Sequence, residues 1–169
     1  MLYQTYQPRS PLSQLIEVFW MREGDNLPQT QSYLLPIGSM ELIINLHKDC
    51  IPLFDYHSRA QIGNTNGLML CGAHSQGFII NNDNKISMMG VHFKPGGSAA
   101  FFSLPAGELH NQQISLAQLW QRRATELRDR LLEAPTWLDR FLVLEQFLLM
   151  VMQPPDRYTV VDLAIDEFS

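Results

Sequence analysis

The segment Lys85–Gly97 places the strongest constraint on the fold of this chain. Along Lys85–Phe93, residues alternate between two faces of an extended strand. Pro95-Gly96-Gly97 ends that strand, because proline has no amide hydrogen for the ladder and glycine permits a sharp turn. Helical signals follow. The chain is therefore predicted to be α+β, with a β-rich region at 1–103 and a helical extension at 104–169.

Several other short segments before residue 97 have the pattern of strands. Leu15–Met21 fits either a strand or a short buried helix, and Lys48–Gly67 is predicted to be a long connection with one short strand. Asn81-Asn82-Asp83-Asn84 is predicted to be a hairpin turn. Short strands separated by turns favour a small antiparallel β-barrel or sandwich. The other predicted strands are Gln31–Leu35, Glu41–His47, Ile51–Phe54, Leu68–Cys71 and Gly77–Ile80.

Capping signals divide the second region into helices. Ser115 begins an amphipathic pattern that ends at Ala134-Pro135, and Thr136 begins a second that ends at Pro154-Pro155. The two are predicted to form an antiparallel helical hairpin. A third pattern begins at Thr159 and reaches Ser169 without a stop signal, so we expect the sequence to be a fragment cut within a linker.

Composition argues against nucleic-acid binding by this region alone. The net charge is −5, with 12 Lys and Arg against 17 Asp and Glu, whereas phosphate binding needs clustered basic residues. The arginines between Arg122 and Arg130 alternate with acidic residues, as on a solvated helix face. Two cysteines without CxxC spacing, no signal peptide and no long apolar run predict a cytoplasmic protein that does not associate with membranes.

A series of short segments follows a recognisable order along residues 8–152. They are Pro11-Leu12, Phe19-Trp20, Leu35–Leu46, Cys71–His74, Met89–Gly97, Leu104-Pro105, Glu108–Asn111, Leu116 and Leu119-Trp120. This order resembles the N-terminal sensor region of one branch of AraC/XylS-type transcription regulators. The resemblance implies a cupin-like β-barrel that senses a small-molecule effector, helices that mediate homodimer contacts, and a C-terminal helix-turn-helix region, absent here, that binds DNA.

Two sets of candidate residues follow. The first would orient a ligand if one face of the Glu41–His47 strand lines a cavity; the second would form a dimer seam on the helices. The ligand-binding candidates are Trp20, Tyr33, Glu41, Asn45, His47 and His92. The dimerisation candidates are Trp120, Leu127, Leu131, Trp137 and Phe141.

The histidines do not form a metal signature. Five are present, but none is in a His-x-His or His-x3-His pattern, although His47 and His92 would meet if their strands were neighbours. We therefore expect no metal, no cofactor and no enzymatic activity. A stand-alone cupin-like enzyme with a metal or small-molecule site remains the alternative, and a purely structural dimerisation module is a third hypothesis.

Overall fold

Ten strands form two antiparallel sheets in the computed structural model, which describes residues 1–25, 31–35, 38–81 and 85–154. The six-stranded sheet has the order β1-β2-β9-β4-β7-β10, and the four-stranded sheet has the order β3-β8-β5-β6. The strands are β1 (Leu2–Tyr6), β2 (Ile16–Asp25), β3 (Gln31–Leu34), β4 (Glu41–Asn45), β5 (Cys50–Asp55), β6 (Gln61–Asn66), β7 (Leu68–Cys71), β8 (Phe78–Asn81), β9 (Lys85–Phe93) and β10 (Gln113–Ser115).

The six-stranded sheet is covered on both faces. One face packs on the four-stranded sheet through a cluster that includes Trp20, Ile43, Met69 and Ile80. The other face packs on the helices through a larger cluster that includes Phe141. All five residues of β4 are buried as a result. The α+β prediction is confirmed, and the described strand pairings form a sandwich of two separate sheets.

Three α-helices follow the sheets: α1 (Leu116–Trp120), α2 (Arg122–Glu133) and α3 (Trp137–Val151). The single helix predicted from Ser115 to Ala134 is divided at Gln121, whose φ is +50°. Ser115 caps α1 by accepting from the Ala117 amide, and Thr136 caps α3 by accepting from the Asp139 amide. As predicted, α2 and α3 form a helical hairpin, joined by three residues.

Two predictions about connections are wrong. The region Lys48–Gly67 contains the paired strands β5 and β6, and β6 escaped detection because its sequence is polar. The strands on either side of Asn81–Asn84 do not form a hairpin: β8 pairs with β3 and β5, whereas β9 pairs with β2 and β4. A turn-forming sequence favours chain reversal without fixing the partner strand. Residues 82–84 themselves, and the helix predicted from Thr159, lie outside the described residues.

A buried carboxylate on α3 ties the helices to the N-terminal strand. Glu145 accepts from the Tyr6 hydroxyl (3.1 Å) and from the Arg9 amide (2.7 Å). The Tyr6 ring also stacks on Phe19 and Phe141, which themselves have no exposed surface. The helices thereby share a core with the strands. Within the described ranges, no helix is long and apolar enough to cross a bilayer.

The substitution Gly72→Ala tests the close contact between the end of β7 and the turn before β10. A Cβ atom at Gly72 would collide with the backbone carbonyl of Leu109, whereas one at Gly107 would meet open space. We expect Gly72→Ala to lower the free energy of unfolding by about 1–3 kcal/mol, the usual cost of overpacking. Urea denaturation measures this, with Gly107→Ala as the matched control. Equal effects of the two substitutions would contradict this contact.

Candidate functional site

Trp20, Glu41 and His92 meet on three adjacent strands, β2, β4 and β9. Trp20 lies opposite Gly90 across the β2–β9 ladder, and Glu41 lies opposite His92 across the β4–β9 ladder. The indole Nε1–H of Trp20 donates to Glu41 Oε1 at 2.7 Å, and His92 Nδ1 lies 3.3 Å from the same oxygen. Three of the six predicted ligand-binding residues therefore form one cluster.

The absence of a side chain at Gly90 makes room for the indole. A Cβ atom there would lie 2.6 Å from two ring carbons of Trp20 and 2.5 Å from the Leu42 carbonyl oxygen. Both are shorter than a van der Waals contact, so a residue with a side chain would displace Trp20 or the β4 backbone. Gly90 therefore fixes the position from which Trp20 reaches Glu41.

Burial disfavours the charged forms of both ionisable members of the cluster. Desolvation raises the pKa of Glu41 to about 7, and the hydrogen bond from Trp20 opposes that shift. Desolvation also lowers the pKa of His92, opposed by the nearby charge of Glu17. Near pH 7 the Glu41 side chain in contact with His92 is therefore present in both its protonated and its ionised form, and Glu41 exchanges a proton in the physiological range.

Glu41 also lines a small, mostly apolar crevice at this end of the sandwich. The crevice has a volume of about 20 Å³, enough for one water molecule. Burial raises the pKa of the Cys71 thiol, and the charge of Glu41 raises it further. His74 Nε2 is buried there without a hydrogen-bond partner among the described residues. The other lining residues are Leu34, Leu35, Ser39, Ile43, Gly72 and Phe78.

Sequence reasoning did not assign Cys71, His74 and Phe78 to this site. Cys71 lies opposite Glu41 across the β4–β7 ladder, and the His74 ring packs edge-on against Phe78 with centroids 5.3 Å apart. The strand assignments for β4 and β7 were already available, so pairing these two strands would have placed Cys71 beside Glu41. No comparable pattern marked Phe78, which belongs to the other sheet.

The three remaining ligand-binding candidates lie elsewhere. Tyr33 is 48 % exposed and contacts Arg59 and Tyr56, so it does not face Trp20. Strand β4 ends at Asn45, because Asn45 Oδ1 accepts from the amides of His47 and Lys48 and starts a turn. His47 is therefore exposed rather than on the strand. Asn45 and His47 line a separate cavity of about 80 Å³ at the opposite end of the sandwich.

Between these two ends the sandwich is filled by side chains. Ile43, Ile51, Leu53 and Met69 are each at most 5 % exposed and pack together with the Trp20 ring. Among the described residues, this packed cluster lies between the Glu41 crevice and the Asn45 cavity.

The dimerisation candidates separate into buried and exposed residues. Leu127, Leu131 and Phe141 have no exposed surface, because each packs into the core between helices and sheet, so a surface role for these three is wrong. Trp120 is half-buried and stacks on Phe102 at 4.9 Å. Trp137 is 38 % exposed on α3.

The histidines and carboxylates do not converge into a metal site. Over residues 1–25, 31–35, 38–81 and 85–154, no group of three His, Cys, Asp or Glu side chains is arranged to hold a metal ion. His47 and His92 lie at opposite ends of β4, so they do not form the pair that neighbouring strands would have produced. The cluster around Glu41 is suited to hydrogen bonding and proton exchange.

Comparison with known proteins gives one family match and several solved structures. The family model described as Domain of unknown function (DUF6597) matches residues 4–115. No curated protein sequence matches the chain. Apo ToxT K231A from Vibrio cholerae strain SCE256 is similar at 11 % identity and a TM-score of 0.44, over 77 % of this chain and 52 % of that one.

ToxT from Vibrio cholerae O395 bound to (E)-4-(8-methylnaphthalen-1-yl)but-3-enoic acid is similar at 14 % identity and a TM-score of 0.41. That match covers 83 % of this chain and 57 % of the other. The present chain thus spans about half the length of the solved structures that it matches.

Titration of Glu41 should make stability fall as pH rises. Because its folded-state pKa of about 7 lies above its ordinary value of 4.5, the native state binds more protons than the unfolded state between these two values. The free energy of unfolding should therefore decrease from about pH 4.5 to pH 7, by about 3 kcal/mol. Glu41→Gln keeps an acceptor for Trp20 and should remove this contribution.

Urea unfolding of the wild-type chain and Glu41→Gln at pH 5.0 and 7.5 measures the effect, since other titrating groups cancel in the comparison. An exposed acid on α2, Glu133, supplies the control Glu133→Gln, which should retain the wild-type pH dependence. If Glu41→Gln leaves the pH dependence unchanged, the shifted pKa of Glu41 is wrong.

Proposed function

This chain belongs to the DUF6597 family, and we propose that it is the effector-sensing and dimerisation region of an AraC-type transcription regulator. In this proposal a small molecule binds at the Glu41 end of the sandwich. Its binding changes the packing of the helices, which pass the change to a DNA-binding region outside this sequence. The support comes from the ordered segments that resemble such regulators and from the chemistry around Glu41.

The observation that carries the proposal is an ionisable carboxyl held at the edge of an apolar crevice. Glu41 is 7 % exposed, and the two contacts that the structure gives its side chain both go to Oε1. Among the described residues no hydrogen bond or ion pair involves Oε2, and in this proposal Oε2 accepts from the ligand, while Leu34 of β3 and Phe78 of β8 line the same crevice. A few polar groups in an apolar site are the usual means of orienting a small molecule.

The crevice as it stands is too small for more than a water molecule. An effector therefore has to shift the elements around it, and those elements include β4. A ligand changes a conformational equilibrium only if it binds one arrangement more tightly than the other. Expansion of a nearly filled crevice supplies such a difference, because the ligand fits only the shifted arrangement.

Strand β4 links the crevice to the helices. Glu41 is its first residue, and Asn45, its last, has its carbonyl oxygen bound by Arg128 Nε of α2 at 3.1 Å. The Arg128 guanidinium also binds Asp49 Oδ1 at 2.8 Å in the following turn. Because the strand is buried on both faces, a shift at Glu41 is passed along it to Arg128.

The same helices are proposed to form the homodimer contacts. Trp137, Leu138, Leu149 and Met150 are each at least 38 % exposed on α3, an unusual concentration of large apolar side chains on a surface helix. In this assignment 1–103 is the sensor, and 104–169 supplies the dimerisation helices and the linker.

An effector should bind less tightly when Glu41 loses its charge. We expect at least one compound in a panel of small amines and neutral hydrogen-bond donors to bind the wild-type chain at pH 7.5. Glu41→Gln should weaken that compound about 10-fold or more, as expected for loss of a hydrogen bond to a charged group, whereas Glu133→Gln should not. Isothermal titration calorimetry measures both. Absence of any binder, while the native protein still regulates transcription, would contradict the sensing role.

Arg128 should control the order of the turn after β4. Arg128→Met removes two hydrogen bonds, so we expect the free energy of unfolding to fall by about 1–3 kcal/mol. Amide hydrogen exchange at residues 46–49 should become faster. Arg123 is exposed on the same helix, and Arg123→Met should change stability by less than about 0.5 kcal/mol. Unchanged exchange at residues 46–49 would exclude this route between sheet and helix.

The regulator assignment also makes a statement about the native polypeptide. Mass spectrometry of the endogenous protein should find peptides that continue beyond residue 169 into a basic helical region. A native mass equal to 19.4 kDa would reject the assignment and favour the structural-module or enzyme hypotheses.

A further inference from the structure

A patch of aromatic and cationic side chains lies on the outer face of the four-stranded sheet. Leu34 and Ile80 of this sheet point into the core cluster between the sheets, so Tyr33, which alternates with Leu34 along β3, faces outward. Tyr33 is 48 % exposed, and Tyr56, in the turn after β5, is 37 % exposed. The patch, called the Arg59 surface below, consists of Tyr33, Tyr56, His57 and Arg59.

The members of the Arg59 surface contact one another. The Tyr33 and Tyr56 rings meet edge to face with their centroids 6.0 Å apart, and the His57 ring meets the Tyr56 ring in the same way at 5.2 Å. The guanidinium carbon of Arg59 lies 5.3 Å from the Tyr33 centroid, within the range of a cation–π contact. Arg59 Nη1 also donates to the Tyr33 hydroxyl at 3.1 Å and to Gln31 Oε1 at 3.3 Å. These contacts hold the cation in position before any partner binds.

The backbone at Arg59 indicates that its side chain is needed there. Its φ is +60°, a left-handed conformation that glycine and asparagine adopt more readily than arginine. The turn itself is fixed by Asp55, whose Oδ1 accepts from the amides of His57 and Ser58 at 3.1 and 2.6 Å. The Asp55 carbonyl oxygen also accepts from the Arg59 amide at 3.1 Å. None of these bonds uses the Arg59 side chain, so glycine would suit the turn better, and the disfavoured backbone points to a function of the guanidinium.

The charge of Arg59 has no acidic partner among the described residues. Both acceptors of its hydrogen bonds, Gln31 and Tyr33, are uncharged, and the Asp55 carboxylate accepts from backbone amides instead. Within the same described part of the chain, Nη2 and Nε of Arg59 have no acceptor. Because the Tyr33 hydroxyl oxygen accepts from Arg59, the hydroxyl proton remains for a further acceptor. The Arg59 surface thus offers several donors that suit a carboxylate, beside exposed aromatic rings.

We propose that the Arg59 surface binds an acidic segment of a partner protein. A carboxylate of that segment binds Arg59 and the Tyr33 hydroxyl, and an adjacent aromatic side chain packs against the Tyr33 and Tyr56 rings. Tyrosine and arginine are among the residues that contribute most to binding energy at protein interfaces. An arginine that is already held in place loses less conformational freedom on binding.

The position of the Arg59 surface favours a protein partner over a small molecule. It lies on the outer face of a sheet and contributes no residue to the Glu41 crevice or the Asn45 cavity. A small molecule needs a concave site that buries most of its surface, whereas a protein segment is able to lie across a sheet face. The proposal is independent of the sensing role of Glu41, so either can fail without the other.

Nuclear magnetic resonance with a defined peptide tests the proposal. The probe is the peptide Gly-Glu-Phe-Glu-Gly, acetylated and amidated at its ends, added to the nitrogen-15-labelled chain of 169 residues at pH 7.5. We expect saturable shifts of the amide signals of residues 31–34 and 54–60. The dissociation constant should be on the order of 1 mM or tighter. Absence of saturable shifts at these residues would overturn the proposal.

Control ligands separate the contributions of charge and aromatic contact. Replacing both glutamates of the peptide by glutamine, or its phenylalanine by alanine, should each weaken binding about 5-fold or more. Equal binding of the glutamine peptide would show an apolar surface without anion recognition and would overturn the proposal. An oligothymidylate of eight nucleotides also combines anions with flat rings. Tighter binding of that oligonucleotide at the same residues would assign the surface to single-stranded nucleic acid instead.

Matched variants test the two donors. Arg59→Met keeps a side chain at the left-handed position but removes the cation, and it should abolish the shifts caused by the acidic peptide. Tyr33→Phe keeps the ring but removes the hydroxyl, and it should weaken binding about 3-fold or more. Arg123 is exposed on α2, so Arg123→Met changes the net charge equally and should retain wild-type binding. Thermal denaturation verifies that each variant is folded, and full binding by folded Arg59→Met would reject the proposal.

Sedimentation velocity distinguishes a separate protein from a second copy of this chain. The chain has a net charge of −5, so a second copy also carries carboxylates that would suit Arg59. We expect Arg59→Met to leave the self-association of the chain unchanged over a range of concentrations. If Arg59→Met dissociates a dimer that Arg123→Met retains, the occupant is a second copy, and the proposal of a separate acidic partner is wrong.

Discussion

The burial of β4 on both faces is the constraint on which the rest of this structure depends. A strand in the centre of a six-stranded sheet, covered by a second sheet and by helices, has no solvent-facing side. Its polar residues must therefore find partners inside the protein. Glu41 accepts a hydrogen bond from Trp20 and contacts His92, and Asn45 accepts hydrogen bonds from the backbone amides of the next turn. The Glu41 crevice and the Asn45 cavity lie where these two polar residues reach the ends of the sandwich.

The two ends of β4 carry opposite chemistry. At one end burial favours a protonated carboxyl, and at the other the turn presents cationic side chains beside an apolar cavity. The packed interior keeps these environments apart. Arg128 binds Asn45 and Asp49 at the second end, so α2 contacts that end directly. The two cavities at the ends of β4 are thus lined by residues of different chemical character.

The local patterns in the sequence predicted much of the fold. Alternation identified β4 and β9, and the capping residues Ser115 and Thr136 marked the starts of α1 and α3. The sequence did not predict which strands pair with each other, because local patterns do not identify the partner strand. The asparagine-rich turn did not show that β8 and β9 belong to different sheets, and the polar sequence of β6 gave no sign of its pairing with β5.

In the candidate site, too, sequence patterns predicted the strand positions of residues but did not predict which residues they contact. Placing Glu41 and Asn45 on one strand face did not reveal that they serve opposite ends, because the filling of the interior by Ile43 and Met69 depends on contacts between sheets. Leu127, Leu131 and Phe141 fit a dimer seam by spacing alone, yet that spacing also suits the core. Helical periodicity identifies the apolar face without identifying what covers it.

The close approach of Trp20 to Gly90 has a consequence for the divergence of related sequences. The indole occupies the volume that a side chain at position 90 would need, so neither position can change freely while the other is retained. Relatives that carry alanine or a larger residue at position 90 should have a smaller residue at position 20. The carboxyl at position 41 would then lose its indole donor, so these three positions should change together through evolution, although 70 residues separate the first from the last.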